Sequence, residues 1–268
     1  MIFTTGETTE DLMAKYNPQG SLLRNVQFRM LDMLLYIDKI CKEQDIDYML
    51  GCGTALGAVR HGGFIPWDDD LDLFLDYKNY KKLCKYLLKN PHPQFKLHSS
   101  KTDSNYLGTW NSLRDTKSKY LQDSVLHNKR KYQGLQIDFF PLDKGGFLFL
   151  RKISWDMYYY MVYKMTGVSF LISKLFYYIL SYIVFPIFRS FNTFGNKCVY
   201  SLTYGCGDPY KEFPSEVLFP TKDIEFENHI FKGPADVKRY LEILYDDYMS
   251  LPDANNRSSH EAKYQIWE

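Results

Sequence analysis

Residues 50–75 read Leu50-Gly-Cys-Gly-Thr-Ala-Leu-Gly-Ala-Val-Arg-His-Gly-Gly-Phe-Ile-Pro-Trp-Asp-Asp-Asp-Leu-Asp-Leu-Phe-Leu75. A glycine-rich turn opens a short helix, and a run of carboxylates follows at the start of a strand. From Asp70 the chain alternates, so Asp70, Asp72 and Phe74 face one side and Leu71, Leu73 and Leu75 the other. Two carboxylates therefore stand on one face of a strand that three leucines anchor in a core. Paired acids on a rigid element form an oxygen-ligand platform for Mg²⁺, an ion that favours carboxylates together with substrate phosphates. Asp68 and Asp69 either join this platform or shape the turn before it.

The residues upstream suit a phosphate. Gly51, Gly53 and Gly57 permit close backbone approach, and a helix starting near Thr54 directs free N–H groups and a partial positive charge outward. Arg60 and His61 fall near its far end, where Gly62-Gly63 stops it. Glycine turns are usually only turns. A glycine turn closely followed by a strand-borne Asp-x-Asp is a far more specific combination.

The rest of the chain supplies a mixed framework. Apolar residues at Leu23, Val26, Met30, Leu34, Ile37 and Cys41 predict an amphipathic helix. Tyr48–Leu50 reads as a buried strand, 77–88 as a helix, and 95–98 and 106–114 as strands. Ile137–Phe140 is a short apolar strand broken by Pro141, and it carries a lone charge, Asp138. A carboxylate among Ile and Phe is costly to bury unless a cation or basic partner faces it, so Asp138 is read as a metal or proton-handling group. The expected fold class is α+β, a mixed sheet with flanking helices.

These residues carry a resemblance to a known family. Gly53-Thr54 followed by Asp70-Leu-Asp72 is similar to the DNA polymerase beta type of nucleotidyltransferase. Within that superfamily, residues 53–72 closely resemble the LicD family, which includes fukutin-related proteins. Gly134–Asp143 resembles the family's later aspartate-proline block, and Leu218-Phe-Pro220, Glu225–Glu227 and Tyr245–Met249 with Leu251-Pro252 resemble its C-terminal end. Two positions depart from the pattern: Ser112 precedes Leu113-Arg114-Asp115 where Lys is usual, and Asp246 stands where Gly is common.

The resemblance implies Mg²⁺-dependent (or Mn²⁺-dependent) transfer of a phosphorylated alcohol from a CDP-linked donor to a hydroxyl of a glycan or lipid-linked glycan acceptor, with CMP released. Bacterial members mostly move phosphocholine from CDP-choline. By motif match, Asp70, Asp72 and Asp138 are the metal-binding and catalytic acids. Gly53, Thr54, Arg60, Arg114 and Trp67 are read as substrate-binding. Trp67 and Trp110 are the aromatic candidates beside a choline group. A nucleotidyltransferase releasing pyrophosphate, and a non-catalytic nucleotide- or membrane-binding scaffold, are the rival readings.

Composition narrows the class. Lys and Arg number 33 against 32 acids, a formal charge of +1 that leaves no electrostatic footprint for nucleic acid. Five cysteines without Cys-x-x-Cys spacing, and a start that lacks a signal peptide, point to a reducing, cytoplasmic location or the inner face of the membrane. The expected organisation is a nucleotidyltransferase-like core over 1–145, an apolar aromatic-rich helical elaboration over 146–200, and a C-terminal segment over 201–268 packing on the core. Val168–Phe188 holds a single charge, Lys174. It is read either as a helix packed on the core or as an interfacial segment in peripheral contact with a membrane.

Overall fold

A computed structural model describes residues 3, 5–121, 124–207, 211–257 and 263–267. It has an α+β architecture. The main sheet contains seven strands: β1 (Met49–Leu50), β2 (Asp72–Asp76), β3 (Phe95–His98), β4 (Asn111–Asp115), β6 (Gln136–Lys144), β7 (Val199–Leu202) and β8 (Phe213–Pro214). The order β1-β2-β6-β4-β3 places β6 at the centre, with β7 and then β8 joined to its far end. β2 and β6 run parallel, and the other pairings are antiparallel. Two hairpin-like pairs lie outside it, β5 (Ser118–Leu121) with β11 (Lys263–Ile266), and β9 (Lys222–Phe226) with β10 (His229–Gly233).

Helix α1 (Thr9–Tyr16) is closed by a Thr8–Asp11 capping box. The long α2 (Leu22–Glu43), capped by Ser21, buries Val26, Met30, Leu34, Ile37 and Cys41, the stripe its periodicity predicts. α3 (Cys52–His61) begins two residues before Thr54 and ends at Gly62, whose φ of 72° provides the left-handed stop. α4 (Tyr77–Lys89) starts on an Asp76 cap and ends before Pro91. The short α5 (Val125–Asn128) precedes β6. After it come α6 (Leu148–Tyr158), α7 (Phe170–Ile179) and α8 (Phe185–Ser190), joined by π-helical turns at 159–163 and 180–184. α9 (Ser215–Leu218) and α10 (Val237–Tyr245) complete the α-helices among the described residues.

Two strand expectations change. The strand expected over 106–114 starts only at Asn111; Tyr106 and Leu107 precede it in irregular backbone, both buried, with Leu107 packed among Tyr158, Val162 and Tyr177 of the helical region. The break expected at Pro141 does not occur, and β6 runs through it. β4 pairs with residues 136–139 of β6 and β7 with 142–144, so Pro141 sits at the changeover between partners. Its missing N–H costs no ladder bond there, and its carbonyl accepts the Thr203 N–H at 3.0 Å.

One large core combines α2, the sheet and C-terminal residues including Phe213, Val217, Phe226, Phe231, Tyr240 and Leu241. A second, smaller cluster packs Tyr158, Val162, Tyr177, Leu180 and Phe185 of the helical region against Leu107, Leu126 and Tyr204. The glycine turn after α3 is clamped from far along the chain. Glu227, at the β9–β10 turn, forms a bidentate pair with Arg24 at 2.9 and 2.6 Å and accepts the Phe64 N–H at 3.1 Å. A Cβ at Gly63 would sit 2.3 Å from that carboxylate, so the clamp requires glycine. Both charged side chains are 11% exposed.

Removing one partner of so enclosed a pair leaves the other charge uncompensated. Glu227→Ala is expected to cost about 3–5 kcal/mol, read as a melting point lowered by about 10 °C. A shift within a degree or two would show that the clamp is not structural. Acid should also unfold the protein early. His61 and His98 are both pushed down to about 3, His61 by burial and the adjacent Arg60, and His98 by burial and Arg114 against the opposing Asp103. The folded state holds both neutral, whereas the unfolded chain takes up protons below its ordinary value near 6.5. Stability is therefore complete above that pH and drains as pH falls toward 3. Urea midpoints that decline between pH 7 and 5 are expected, and a flat profile would contradict this.

Candidate active site

The parallel register of β2 and β6 places Asp72 opposite Asp138. Register partners on neighbouring strands present their side chains to the same face, so these two acids stand side by side. β4 adds Ser112, opposite Asp138 on its other flank. The Ser112 hydroxyl donates to Asp138 Oδ1, and the Gln136 amide donates to Oδ2 at 2.8 Å. The position that departs from the family pattern thus holds the central acid directly.

Asp70 lies just before the ladder of β2 rather than within it. Carboxylate oxygens of Asp68, Asp69 and Asp70 come within 4.8 Å of one another. Asp72, half-buried, lies within electrostatic reach of this group. Burial first, then the charges of Asp70, Asp138 and Asp68, hold its carboxyl well above the usual carboxylate range. Burial also raises Asp138, opposed by Ser112, Arg114 and Trp110. Clustered hard oxygen donors that repel one another fit a divalent cation such as Mg²⁺ or Mn²⁺, whose charge would relieve the strain.

The loop carrying these acids is fixed by the buried Gln27 of α2. Its amide donates to the carbonyls of Ile65 and Asp68 at 3.2 and 2.8 Å, while Asn17 and Arg24 donate to its oxygen. Thr54 ties α3 to β2: its hydroxyl accepts the Asp72 N–H at 2.9 Å, next to the Gly51 N–H bonded to the Asp72 carbonyl. A Cβ at Gly53 would meet the Asp68 carboxylate at 3.0 Å, so that glycine keeps the acid loop close to the helix start.

One backbone donor at the α3 N-terminus is already engaged. Cys52, with φ of 40°, gives its N–H to the Tyr240 hydroxyl at 2.9 Å. Arg60 is buried and turned to the C-terminal segment, donating to the carbonyls of Tyr248 and Ser250 at 3.2 Å and to His61 Nε2 at 3.0 Å. Burial lowers it to about 10, while Tyr245 and Asp68 lie within electrostatic reach. Trp67 is in the core, with Tyr16 edge-on at 5.4 Å and the Arg257 guanidinium 5.6 Å over its ring.

Arg114 is fully buried on the Asp138 side of β4 and donates to the Gly134 carbonyl at 2.8 Å. Burial and the nearby Arg130 lower it to about 10, and Asp138 opposes that shift. Trp110 is the tryptophan at the acids: it interacts with Asp138 and lies 5.0 Å from the Phe140 ring. Two tyrosines escaped the sequence reading. Tyr120 of β5 is raised by burial and by Asp69 and Asp70, and Tyr245 by burial, Cys52, Asp72 and Asp68. Tyr245 lies in a stretch that resembles the family's C-terminal block, the one available signal for it. Asp246, which follows it, has φ of 51°, the conformation that explains why glycine is common there.

A mixed sheet that carries acids on two adjacent parallel strands, after a glycine turn and helix, is the arrangement of a nucleotidyltransferase-type catalytic domain. Residues 45–165 match the family model described as LicD/FKTN/FKRP, nucleotidyltransferase domain, so this part of the chain is a LicD-type domain. It is 26% identical over 259 residues to the lipopolysaccharide cholinephosphotransferase LicD of Haemophilus influenzae, covering 89% of this chain and 95% of that one. An uncharacterized protein of Rickettsia prowazekii is 26% identical over 171 residues, 56% of this chain and 62% of its own length. An uncharacterized protein of Rickettsia typhi is 40% identical over 58 residues, 22% of this chain and 17% of its own.

The Thr54 hydroxyl offers a direct check on how the site is held. Thr54→Val keeps the shape and leaves the Asp72 N–H without an acceptor, a loss of about 1–3 kcal/mol. Thr54→Ser should melt close to wild type. Equal melting of all three proteins would mean that this hydroxyl does not anchor β2.

Proposed function

We propose that this chain is a phosphotransferase that moves phosphocholine from CDP-choline to a hydroxyl of a lipopolysaccharide or other lipid-linked glycan, releasing CMP. The observation that carries the reading is the pairing of Asp72 with Asp138 across β2 and β6, beside Asp70. Similarity to the lipopolysaccharide cholinephosphotransferase over most of both chains supports the substrate class.

Asp70 and Asp72, with Asp138 beside them, would hold Mg²⁺ or Mn²⁺. When bound, the ion supplies charge neutralisation for the donor's diphosphate oxygens. Asp138, raised by burial, takes the proton of the acceptor hydroxyl. The acceptor oxygen forms a bond to the phosphorus bearing choline as the bond to the bridging oxygen breaks, and CMP departs with that electron pair. Ser112 and Gln136 keep the Asp138 carboxylate aimed. The positive charge of Arg114 lies on the same side of the sheet and favours the donor's anionic end. Gly53 and Thr54 contribute through the backbone at the start of α3. Trp110 presents the aromatic surface suited to a quaternary ammonium group.

Single replacements Asp70→Asn, Asp72→Asn and Asp138→Asn are expected to reduce CMP release from CDP-choline by at least ~10²-fold without loss of folding. The assay couples CMP formation to choline incorporation into a lipopolysaccharide acceptor. Near wild-type turnover in these variants would refute the acid assignment. Pyrophosphate release from CTP would instead establish nucleotidyl transfer, and nucleotide binding without turnover would establish a scaffold.

A further inference from the structure

From Met157 to Gly207 the chain contains no Asp or Glu, while Lys164, Lys174, Arg189 and Lys197 are all present. Residues Phe170–Phe194 form a near-continuous helical stretch of 25 residues, whose most apolar 18-residue window has a mean hydropathy of 1.7. Only one side of it is buried: Ser173, Tyr177, Leu180 and Phe185 turn inward. On the opposite side Leu171, Leu175, Ile179, Ile183 and Ile187 follow one another every four residues, all exposed, from 78% at Leu171 to 37% at Ile179. An uninterrupted α-helix would rotate such a series around its axis. The wider π turn at 180–184 slows that rotation and keeps the apolar stripe on one side. A stripe this long is more than scattered surface apolar residues require.

Length and hydropathy alone would permit a membrane span. The inward bonds say otherwise. Tyr177 donates to the Gly108 carbonyl at 3.0 Å, Ser173 to the Val162 carbonyl at 2.8 Å, and Arg189 to Asp143 at 2.9 Å. The helix lies along the protein, with its apolar side outward for its whole length.

The same helix forms one wall of a cavity of about 650 Å³ whose other wall is α4. Five cations line it, Lys81, Lys85, Lys89, Lys101 and Arg189, the last paired with Asp143 behind it, and no acid lines it among the described residues. Three of the lysines recur every four residues on one side of α4. In a chain of almost balanced charge this is a strong local excess. Tyr182 belongs to both features: it lines the cavity, is half exposed beside the stripe, and bonds the Ser100 hydroxyl at 2.9 Å. Tyrosine at the border of an apolar strip and a basic groove is the pattern of a membrane–water interface.

We propose that this face docks in the plane of an anionic bilayer, with the 171–187 stripe among the upper acyl chains and the cavity between α4 and α7 taking a lipid phosphate headgroup. Charge complementarity selects the bilayer over a second copy, since the region offers no acid to meet its own lysines. The proposal stands on this face alone and does not depend on the reaction performed at the acids.

Vesicle flotation tests it, using the full chain and phosphatidylcholine vesicles with and without phosphatidylglycerol. Wild type should float with the anionic vesicles and only weakly with the neutral ones. Leu175→Glu/Ile183→Glu changes exposed positions and should retain the wild-type melting curve while losing flotation by about tenfold or more. Lys81→Glu/Lys85→Glu should lower binding to anionic vesicles by about tenfold and leave the weak neutral binding in place. Glycerol phosphate in solution should not release the protein, and release by it would show that a free phosphate, not a lipid, fills the cavity. Wild type that fails to float, or a Leu175→Glu/Ile183→Glu protein that floats normally, would overturn the proposal. So would resistance to alkaline carbonate, which marks a spanning helix. A dimer dispersed by Leu175→Glu/Ile183→Glu in the absence of vesicle binding would assign the face to a second copy.

Discussion

Like charges crowded into a cleft raise one another's energy, and the centre of this protein is built around that repulsion. Asp72 and Asp138 are held abreast by backbone ladders that neither side chain can alter, while Asp68, Asp69 and Asp70 arrive on a loop pinned by Gln27. Every surrounding element resists the acids' tendency to part. α2 supplies the amide that grips the loop, α3 supplies the Thr54 hydroxyl that grips β2, and β4 supplies Ser112. The folded chain thereby stores an electrostatic tension that binding of a cation or a proton relieves. A group of this kind is prepared for a ligand before the ligand arrives, which is the usual origin of catalytic alignment in phosphoryl transfer.

The supporting framework shows why the local pattern was so readable. Period-3.6 spacing located α2, and alternation located the face of β2, because each depends only on neighbours in sequence. Residues 95–98 form the strand expected for the same reason. Pro141 misleads a local reading, since its tolerance depends on where β4 ends and β7 begins. Arg60 and Trp67 sit beside the motif in sequence, yet their hydrogen bonds and ring contacts go to residues 16, 248, 250 and 257. Tyr120, Tyr240 and Tyr245 reach the acid cluster or the α3 start only through tertiary closure, which no spacing encodes. The acids themselves were legible because their chemistry is hard to explain as packing.

The helical region from 146 to 198 obeys a different rule from the rest. Its inner side joins a small cluster of its own with Leu107, Leu126 and Tyr204, and its outer side leaves large aliphatic residues uncovered. Polar bonds add to the modest apolar burial: the Tyr158 and Tyr177 hydroxyls reach the carbonyls of Leu107 and Gly108, Ser173 bonds Val162 within the region, and Arg189 reaches Asp143. Such bonds fix orientation more than they add stability. The result is an apolar surface held rigidly at a set angle to the sheet.

The clamp on the glycine turn also sets a timetable for the living cell. Arg24 and Glu227 are 203 residues apart, and Cys52 and Tyr240 are 188 apart. A chain emerging N-terminal end first has synthesised all five crowded aspartates of 68–72 and 138 long before the hairpin and α10 that secure them exist. The nascent polypeptide therefore carries the five acids without the contacts that align them. Alignment of the acids waits until residues 227 and 240 have been made.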